Sequence, residues 1–436
     1  MFRVESRDYK EMKKFLESIK RNQFLRKSIA FFASFCYGFP SRKLVVFGVT
    51  GTNGKTTTSY FLKSILEKAG LKTGLIGTSG YWLDEKTKIE PAAIGTQPIT
   101  TPDPFYLQSL LKKMVKRGTK YVVMEVSSFG LRDWRVFGIN FKGAILTNVS
   151  LCHHIFEHKN FKNYLEAKKI LFKMLNEKSF AVLPRESEYF DDFKKITKAK
   201  VISYGFEPSS DVYGKIIKEN AEETVLKVKK GDLDFEISLL KNGGRYNALN
   251  ALAVIALTLE FNIDYNKIKE GIESCPPLEG RFEVFRGKGI TVIVDKANTP
   301  QAFKEVTERV KNLKPRRIIG VYGNFVEFPL EIRQLLAEFS TNNFDLTIIT
   351  VDDSANQSPE EGITDFLDYV VSRVKPEKYL AIEDRKEAIK EALKRAEKND
   401  VVLILGRGDE RLMNLGGKII EFDDRKVVKE LLQNKR

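Results

Sequence analysis

Apolar residues follow two rhythms along this chain. Short apolar runs alternate with stretches in which apolar positions return every three or four residues. The first rhythm marks buried strands, the second amphipathic helices. The runs Leu44–Phe47, Thr73–Ile76, Tyr121–Glu125, Ala144–Thr147 and Ala181–Leu183 predict strands, and 55–69, 104–117 and 161–175 predict helices. Apolar strands that alternate with helices predict a parallel sheet covered on both faces. At 210–240 the period changes. Asp211–Ile217 and Thr224–Lys229 alternate, which predicts a short antiparallel excursion. Helices return at 247–261 and 264–273. Cys275-Pro276-Pro277-Leu278-Glu279-Gly280 then breaks the pattern, because two prolines cannot continue a helix. A second α/β series follows, with strands Thr291–Asp295, Arg317–Val321, Leu346–Val351 and Val401–Leu405. Its helices are expected at 300–312, 329–340, 359–374, 384–397 and 424–434. Residues 1–40 read as one or two helices with Met12, Phe15, Leu16 and Ile19 on one face and Phe31, Phe32 and Phe35 as docking surface. The predicted units are a short helical segment (1–42), a central α/β domain (43–280) and a smaller Rossmann-like α/β domain (281–436).

Composition adds boundaries to this picture. The 436 residues are enough for two or three domains, and 42% hydrophobic with 30% charged content is ordinary for packed cores. Cys36, Cys152 and Cys275 are far apart, form no metal spacing and suggest free thiols in a reducing compartment. The charged N-terminus lacks a signal-peptide pattern, and no apolar run approaches membrane-spanning length. A cytoplasmic monomer without membrane insertion is expected. The net charge of +15 is spread along the chain among Asp and Glu, without a dense basic block, so nucleic acid is not an expected partner.

The chemistry concentrates at Leu44–Thr58, LVVFGVTGTNGKTTT. A predicted strand runs into Gly48, Gly51 and Gly54, then Lys55, Thr56 and Thr57, then a helix. This is the layout of a phosphate cradle: glycine amides close on phosphate oxygens, the helix N-terminus adds positive potential, lysine reaches the terminal phosphates and a hydroxyl meets Mg²⁺. The strict G-x-x-x-x-G-K-[ST] pattern wants glycine where Val49 stands; the glycine is one residue earlier. Glu125 closes an apolar strand at its carboxyl end, where open α/β sheets bind ligands. It either shares a cation with Thr56 or is an exposed strand-end carboxylate. All three histidines lie in Cys152-His153-His154-Ile155-Phe156-Glu157-His158. A transition-metal site is one reading; a second-cation or phosphate-proximal role beside Thr147-Asn148 is the other. Lys168 alone reads as a solvated helix lysine. Thr100-Thr101-Pro102-Asp103 reads locally as a helix cap.

In their order these segments resemble the Mur ligases, ATP-dependent amide-bond-forming enzymes of peptidoglycan precursor synthesis. The segments that carry the resemblance are GVTGTNGKTTT (48–58), TTPD (100–103), MEVSS (124–128), TNVS (147–150), HHIFEH (153–158), YLEAKKILF (164–172), YNALNALA (246–253), LEGRFE (278–283), VDKANTP (294–300) and LGRGDE (405–410). They point to the branch that adds the third residue of the stem peptide. The resemblance implies that ATP converts a substrate carboxylate to an acyl phosphate, which an amino-acid amine attacks. It implies ATP contacts from Gly51, Thr52, Asn53, Gly54, Lys55, Thr56, Thr57, Asn247, Asn250, Arg281 and Asp295. It implies Mg²⁺ contacts from Thr56, Glu125, His154 and a carbamylated Lys168, with Lys55, His154 and Lys168 serving catalysis. UDP-muramoyl-peptide contacts are implied for Thr100, Thr101, Ser127 and Arg135, and acceptor contacts for Asp353, Gly406 and Glu410.

The departures carry information. The family's D-H-L-D-x-H is His153-His154-Ile155-Phe156-Glu157-His158 here, its D-Y-A-H-T-P is Asp295-Lys296-Ala297-Asn298-Thr299-Pro300, and its G-K-G-H-E is Gly406-Arg407-Gly408-Asp409-Glu410. Diaminopimelate-adding members carry D-N-P-R. Here Asp352-Asp353-Ser354-Ala355-Asn356 has alanine at the arginine position, and alanine cannot replace an Arg–carboxylate fork. A lysine-type acceptor is therefore favoured. Only some 40 residues precede the phosphate loop, fewer than the family's uridine-binding domain. Two other functions stay open at this point: a related ligase acting on another acid (folate-polyglutamate or cyanophycin type), and a nucleotide-binding regulator that has lost ligation. Thr56-Thr57 argues against the folate branch, which usually has Gly-Ser there.

Overall fold

The computed structural model describes residues 22–433, apart from 95, 151–157, 221–222, 241, 324–327, 355–357 and 359. His153, His154, Ala355 and Asn356 thus lie outside the described residues. The sheet order explains why the phosphate loop is central. From edge to edge the large sheet runs Leu233–Leu240, Glu223–Lys230, Val212–Glu219, Lys200–Gly205, Phe180–Pro184, Phe141–Leu146, Val45–Thr50, Tyr121–Glu125, Thr73–Gly77, Gly80–Trp82 and Lys88–Ile89. Val45–Thr50 is parallel to both neighbours, with Val49 opposite Glu125 and Thr50 opposite Leu146. Parallel register puts the loops after all three strands at one sheet end.

Helices cover both faces. On one face Arg245–Glu260 is buried along most of its length, from Ala248 to Thr258. It packs against the sheet and against the helices Lys55–Lys68 and Tyr265–Glu273, so it needs no polar face. The two outer helices touch at Gly271, where an added Cβ would fall 2.4 Å from the Ile65 Cα. On the other face Leu107, Leu110, Leu111 and Met114 of Pro104–Lys116 and Leu171 and Phe172 of Phe161–Lys173 close a second core. The helix Gln23–Cys36 buries Ala30, Ala33 and Ser34 and leaves Phe24, Phe31, Phe32 and Phe35 exposed.

The smaller sheet runs Glu283–Gly287, Ile290–Asp295, Val401–Leu405, Ile318–Gly323, Leu346–Thr350 and Tyr379–Ala381, parallel except for the first pair. Asp295 pairs with Leu405, which brings the loops 296–300 and 406–410 together.

The antiparallel excursion expected at 210–240 is present as Val212–Glu219, Glu223–Lys230 and Leu233–Leu240, and it extends the large sheet because Val212–Glu219 joins Lys200–Gly205 in parallel. The strand Lys200–Gly205 itself escaped the pattern because Ser203 interrupts its apolar run; Ser203 Oγ donates 2.6 Å to Asp211. Arg317 lies one residue before the strand Ile318–Gly323, although its carbonyl still accepts from Val401 N (2.9 Å) and its guanidinium meets Asp400 (2.9 Å).

Candidate functional site

The loop after the central strand is built around missing side chains. Thr52 N donates to Asn148 O (2.9 Å), Asn53 N to Asn148 Oδ1 (3.1 Å), and Thr147 Oγ1 to Asn53 O (2.6 Å). A Cβ on Gly51 would fall 1.8 Å from Thr147 Oγ1. Gly54 has φ 83°, and a Cβ there would fall 2.6 Å from Asn250 Oδ1. Only glycine suits both places. The helix Lys55–Lys68 begins at once, aiming its N-terminal amides at the loop. Lys55 Nζ folds back to Gly51 O and Thr52 O, at 3.0 Å each. Thr57 lines the same cavity. The glycine cradle, the helix terminus and the lysine together fit a nucleotide's phosphates.

Glu125 is fully buried. Thr56 Oγ1 donates to its Oε2 at 3.1 Å, Thr78 Oγ1 to the same oxygen at 3.2 Å, and Thr78 N to its Oε1 at 3.3 Å. The exposed strand-end reading is therefore corrected: the parallel register sinks this carboxylate beside the phosphate loop. Burial pushes its pKa up, against the pull of Lys55, the Thr56 hydroxyl and Arg281. A buried carboxylate beside a threonine hydroxyl and a phosphate cradle is a donor set suited to Mg²⁺.

Lys168 also needs correction. It is 1% exposed, not solvated. Phe161–Lys173 packs back on the loop, and Lys168 Nζ donates to Gly51 O at 2.7 Å and lies 4.4 Å from the Tyr164 ring centre. The Tyr164 hydroxyl lies 2.9 Å from Thr52 Oγ1. Of the three histidines His158 is described, and it is buried in packing: it stacks on Phe129 (5.1 Å) and meets Tyr164 (5.5 Å). Among the described residues no group of three or more His, Cys, Asp or Glu is arranged for a metal ion.

One cavity of about 1130 Å³ joins this region to the smaller domain. On the central-domain side it is lined by Thr100, Thr101, Ser127 and Arg135. Thr101 Oγ1 accepts from Ser127 N (2.9 Å), Arg135 Nη1 donates to Thr101 O (2.9 Å), and the Thr78 and Thr100 hydroxyls lie 2.8 Å apart. Asn247 lines the cavity. Asn250 does not: it is buried beneath Gly54 and donates to Asn247 Oδ1 at 3.1 Å. Of the two asparagines for which ATP contacts are expected, Asn247 is thus the one at the cavity.

Across the cleft stand Arg281, Asp295, Lys296 and Glu410. Asp295 is fixed by the amides of Phe282 (2.6 Å) and Ala297 (2.7 Å). Gly406 lies beneath this wall, its N donating 3.1 Å to Asp295 O. Asp353 accepts from the Thr96 hydroxyl of the central domain. Asp352 beside it is buried and paired with Arg407 (2.9 Å) and Arg385 (3.4 Å); Arg385 also holds Asp424 at 2.8 Å.

Sequence reasoning missed Arg309. Its guanidinium lies 3.6 Å from the Phe282 ring centre, and its Cδ is 3.0 Å from where a Cβ on Gly244 would stand. One arginine on an amphipathic helix gives no signal of its own. Asn148 and Tyr164 were quoted within motifs without a role, although Asn148 holds the loop and Tyr164 faces Lys168.

Residues 49–258 match the model of the Mur ligase middle domain, and 280–408 that of the Mur ligase glutamate ligase domain. The UDP-N-acetylmuramoyl-L-alanyl-D-glutamate–2,6-diaminopimelate ligase of Clostridium botulinum is 35% identical over 415 residues, covering 94% of this chain and 82% of that protein. Its namesake from Caldanaerobacter subterraneus is 36% identical over 408 residues, covering 93% and 82%. Among solved structures, a diaminopimelate ligase of the same name superposes with TM-score 0.63 at 23% identity over 93% of this chain and 82% of that one. MurF from Acinetobacter baumannii gives 0.69 at 15%, covering 94% and 80%. At these identities the superpositions speak for the fold alone.

Proposed function

The chain belongs to the Mur ligase family, and from that premise we propose that it is an ATP-dependent ligase joining an amino acid to a carboxylate of a UDP-N-acetylmuramoyl-peptide, in peptidoglycan precursor synthesis. The observation that carries this reading is the single cavity into which the Gly51–Thr57 cradle, the buried Glu125, and Arg281 and Asp295 of the other domain all open.

The division of labour follows from position. Gly51, Thr52, Asn53 and Gly54 wrap the phosphates, with Thr57 in the same helical turn, and Lys55 swings from its loop carbonyls onto the terminal phosphates. Arg281 approaches from the opposite wall to neutralise charge as the phosphoryl group moves to the substrate carboxylate. Asp295, pinned by two amides, is read as a nucleotide contact, and Asn247 as a contact to the base. Thr56 and Glu125 would hold Mg²⁺, which when bound neutralises phosphate oxygens. Lys168, which lines the same cavity, is the third expected member of that set. As an ammonium it donates to Gly51 O, and the carbamate that the family implies would keep one N–H for that bond while turning the cation into an anion. The fourth expected metal contact, His154, lies outside the described residues. Thr100, Thr101, Ser127 and Arg135 form the wall for the muramoyl peptide. Glu410, which lines the cavity, is assigned to the acceptor together with Asp353, and Gly406 supports the wall through its bond to Asp295. Catalysis on this reading is positioning and charge neutralisation.

The acceptor is read as lysine-type. Among the described residues Arg407 and Arg385, the buried arginines near Asp352, already hold carboxylates, so neither is offered to the second carboxylate of diaminopimelate. The curated relatives named above are diaminopimelate ligases, so the two acceptors should be compared directly. ADP release and product mass are to be measured with UDP-muramoyl-dipeptide against a panel of amino acids. Lysine should give product at the highest kcat/KM. Preference for diaminopimelate would overturn the acceptor assignment, and product from no amino acid would overturn the ligase reading.

A further inference from the structure

Two of the altered motif positions touch. Lys296, where the family has tyrosine, sends its Nζ to within 3.5 Å of Asp409 Oδ1, where the family has histidine, and to 3.1 Å from Glu410 Oε1. All three side chains are at most 16% exposed. The backbone fixes this meeting. Lys296 N donates to Gly280 O at 3.0 Å. Gly408, at φ 57°, leaves room for Lys296: a Cβ there would fall 2.6 Å from the Lys296 Cβ.

The cluster does not end inside the smaller domain. Asp409 Oδ2 accepts from Ser79 Oγ of the central domain at 3.0 Å. Ser79 follows Thr78, whose hydroxyl and amide both donate to Glu125. A continuous polar path therefore runs from Glu125 through Thr78–Ser79 to Asp409, Lys296 and Glu410. Lys296 is the cation that the two neighbouring carboxylates share: Arg281 lies 3.8 Å from Asp409 and Arg407 3.7 Å from Glu410, but Lys296 reaches both, and without it they would repel more strongly. Burial opposes the charged form of Lys296, but Glu410 and Asp409 outweigh it, so it stays an ammonium. Lys296 and Asp409 are thus a matched exchange, not two independent losses.

We propose that Lys296 and Asp409 form a positioning pair at the domain cleft: docking of Asp409 on Ser79 closes the two domains, and through Lys296 the same contact sets the carboxylate of Glu410 toward the amino-acid acceptor. Its acceptor half rests on the ligase reading above; the docking half does not.

The test uses the full-length protein and two readouts. The first is steady-state ligation with amino acid or ATP varied. Lys296→Met and Asp409→Asn should each raise the acceptor KM about tenfold or more, with the ATP KM moved less than about twofold. Lys296→Arg, which keeps the charge, should recover most of the loss. The paired exchange Lys296→Tyr with Asp409→His should do far better than the product of its single changes. The second readout is small-angle scattering with Mg²⁺ and a non-hydrolysable ATP analogue. The wild type should contract, and Ser79→Ala and Asp409→Asn should contract less. Melting curves screen out unfolded variants, and Ser79→Ala, in the other domain, stands in if a Lys296 variant fails to fold. Unchanged acceptor KM in both single variants, or effects that simply multiply, would overturn the positioning role. Equal contraction in wild type, Ser79→Ala and Asp409→Asn would overturn the docking. A wild type that contracts but ligates nothing would sink the ligase reading and the acceptor half with it, leaving the docking supported.

Discussion

At the scale of single residues, burial separates what composition leaves level. The chain has 73 Lys and Arg residues, and most face solvent; Lys168 is 1% exposed and holds Gly51 O. Lys168→Ala removes a buried cation from the phosphate loop and the group expected beside Glu125. Turnover should fall by about 10³-fold or more, with a smaller effect on nucleotide affinity, as for a positioned charge that acts in the transition state. Kinetics and nucleotide titration together check this, and loss of nucleotide binding alone would assign Lys168 to ground-state binding. Arg309 is the opposite case. Burial pulls its pKa down to about 10, yet it remains a cation near neutrality, flat on Phe282 and against Gly244. Arg309→Ala should raise the ATP KM several-fold and leave the acceptor KM alone. Arg309→Lys should not restore it, because lysine has no planar group to stack. An unchanged ATP KM would remove Arg309 from the nucleotide wall.

At the scale of elements, two predictions concern packing and pH. Gly271 lets Tyr265–Glu273 lie against Lys55–Lys68, with Ser64 Oγ donating to Gly271 O at 2.6 Å. Gly271→Ala drives a methyl into backbone and should cost about 1–3 kcal/mol by overpacking. Thermal and denaturant unfolding would show it, and an unaltered midpoint would mean that the helices slide apart freely. In the smaller sheet Asp400 precedes Val401–Leu405 and collects Arg316 (2.9 Å) and Arg317 (2.9 Å). Burial raises its pKa, but the two guanidinium partners outweigh that and hold it down to about 2. A depressed carboxyl gives stability that is present above its unfolded value of about 4 and lost as pH falls toward 2. Asp400→Asn should therefore narrow the stability gap to wild type as pH drops from about 5 to 2. A gap constant across that range would show that the carboxylate's charge contributes nothing. Both arginines are more than a third exposed, which keeps the expected difference near 1 kcal/mol.

At the scale of the molecule, the contacts across the cleft describe a closed arrangement. Ser79 meets Asp409, Thr96 meets Asp353, Asn53 Nδ2 approaches Thr299 Oγ1 at 3.5 Å, and Arg309 packs on Gly244. These are few and mostly polar, the kind of interface that opens and closes. Among the described residues no helix is long and apolar enough to cross a membrane. The legible part of this architecture was its periodicity. Apolar runs such as 121–124 and capped helices such as Pro104–Lys116, whose Asp103 accepts from two amides, announce themselves locally. Lys200–Gly205 did not, because Ser203 satisfies its hydroxyl on Asp211 eight residues away, a partner that periodicity cannot see.

The sequence by itself determined the phosphate loop, the alternation that makes two α/β domains, and the family to which they belong, since each is encoded in contiguous residues. Tertiary structure alone decided which charges are buried and what they meet. Glu125 and Lys168 lie 43 positions apart in sequence yet both reach the loop, because parallel register and a helix folded back upon it bring them there. Lys296 and Asp409 looked like two separate departures. Their strands are neighbours in the small sheet, and Coulomb attraction in a buried cleft makes them one.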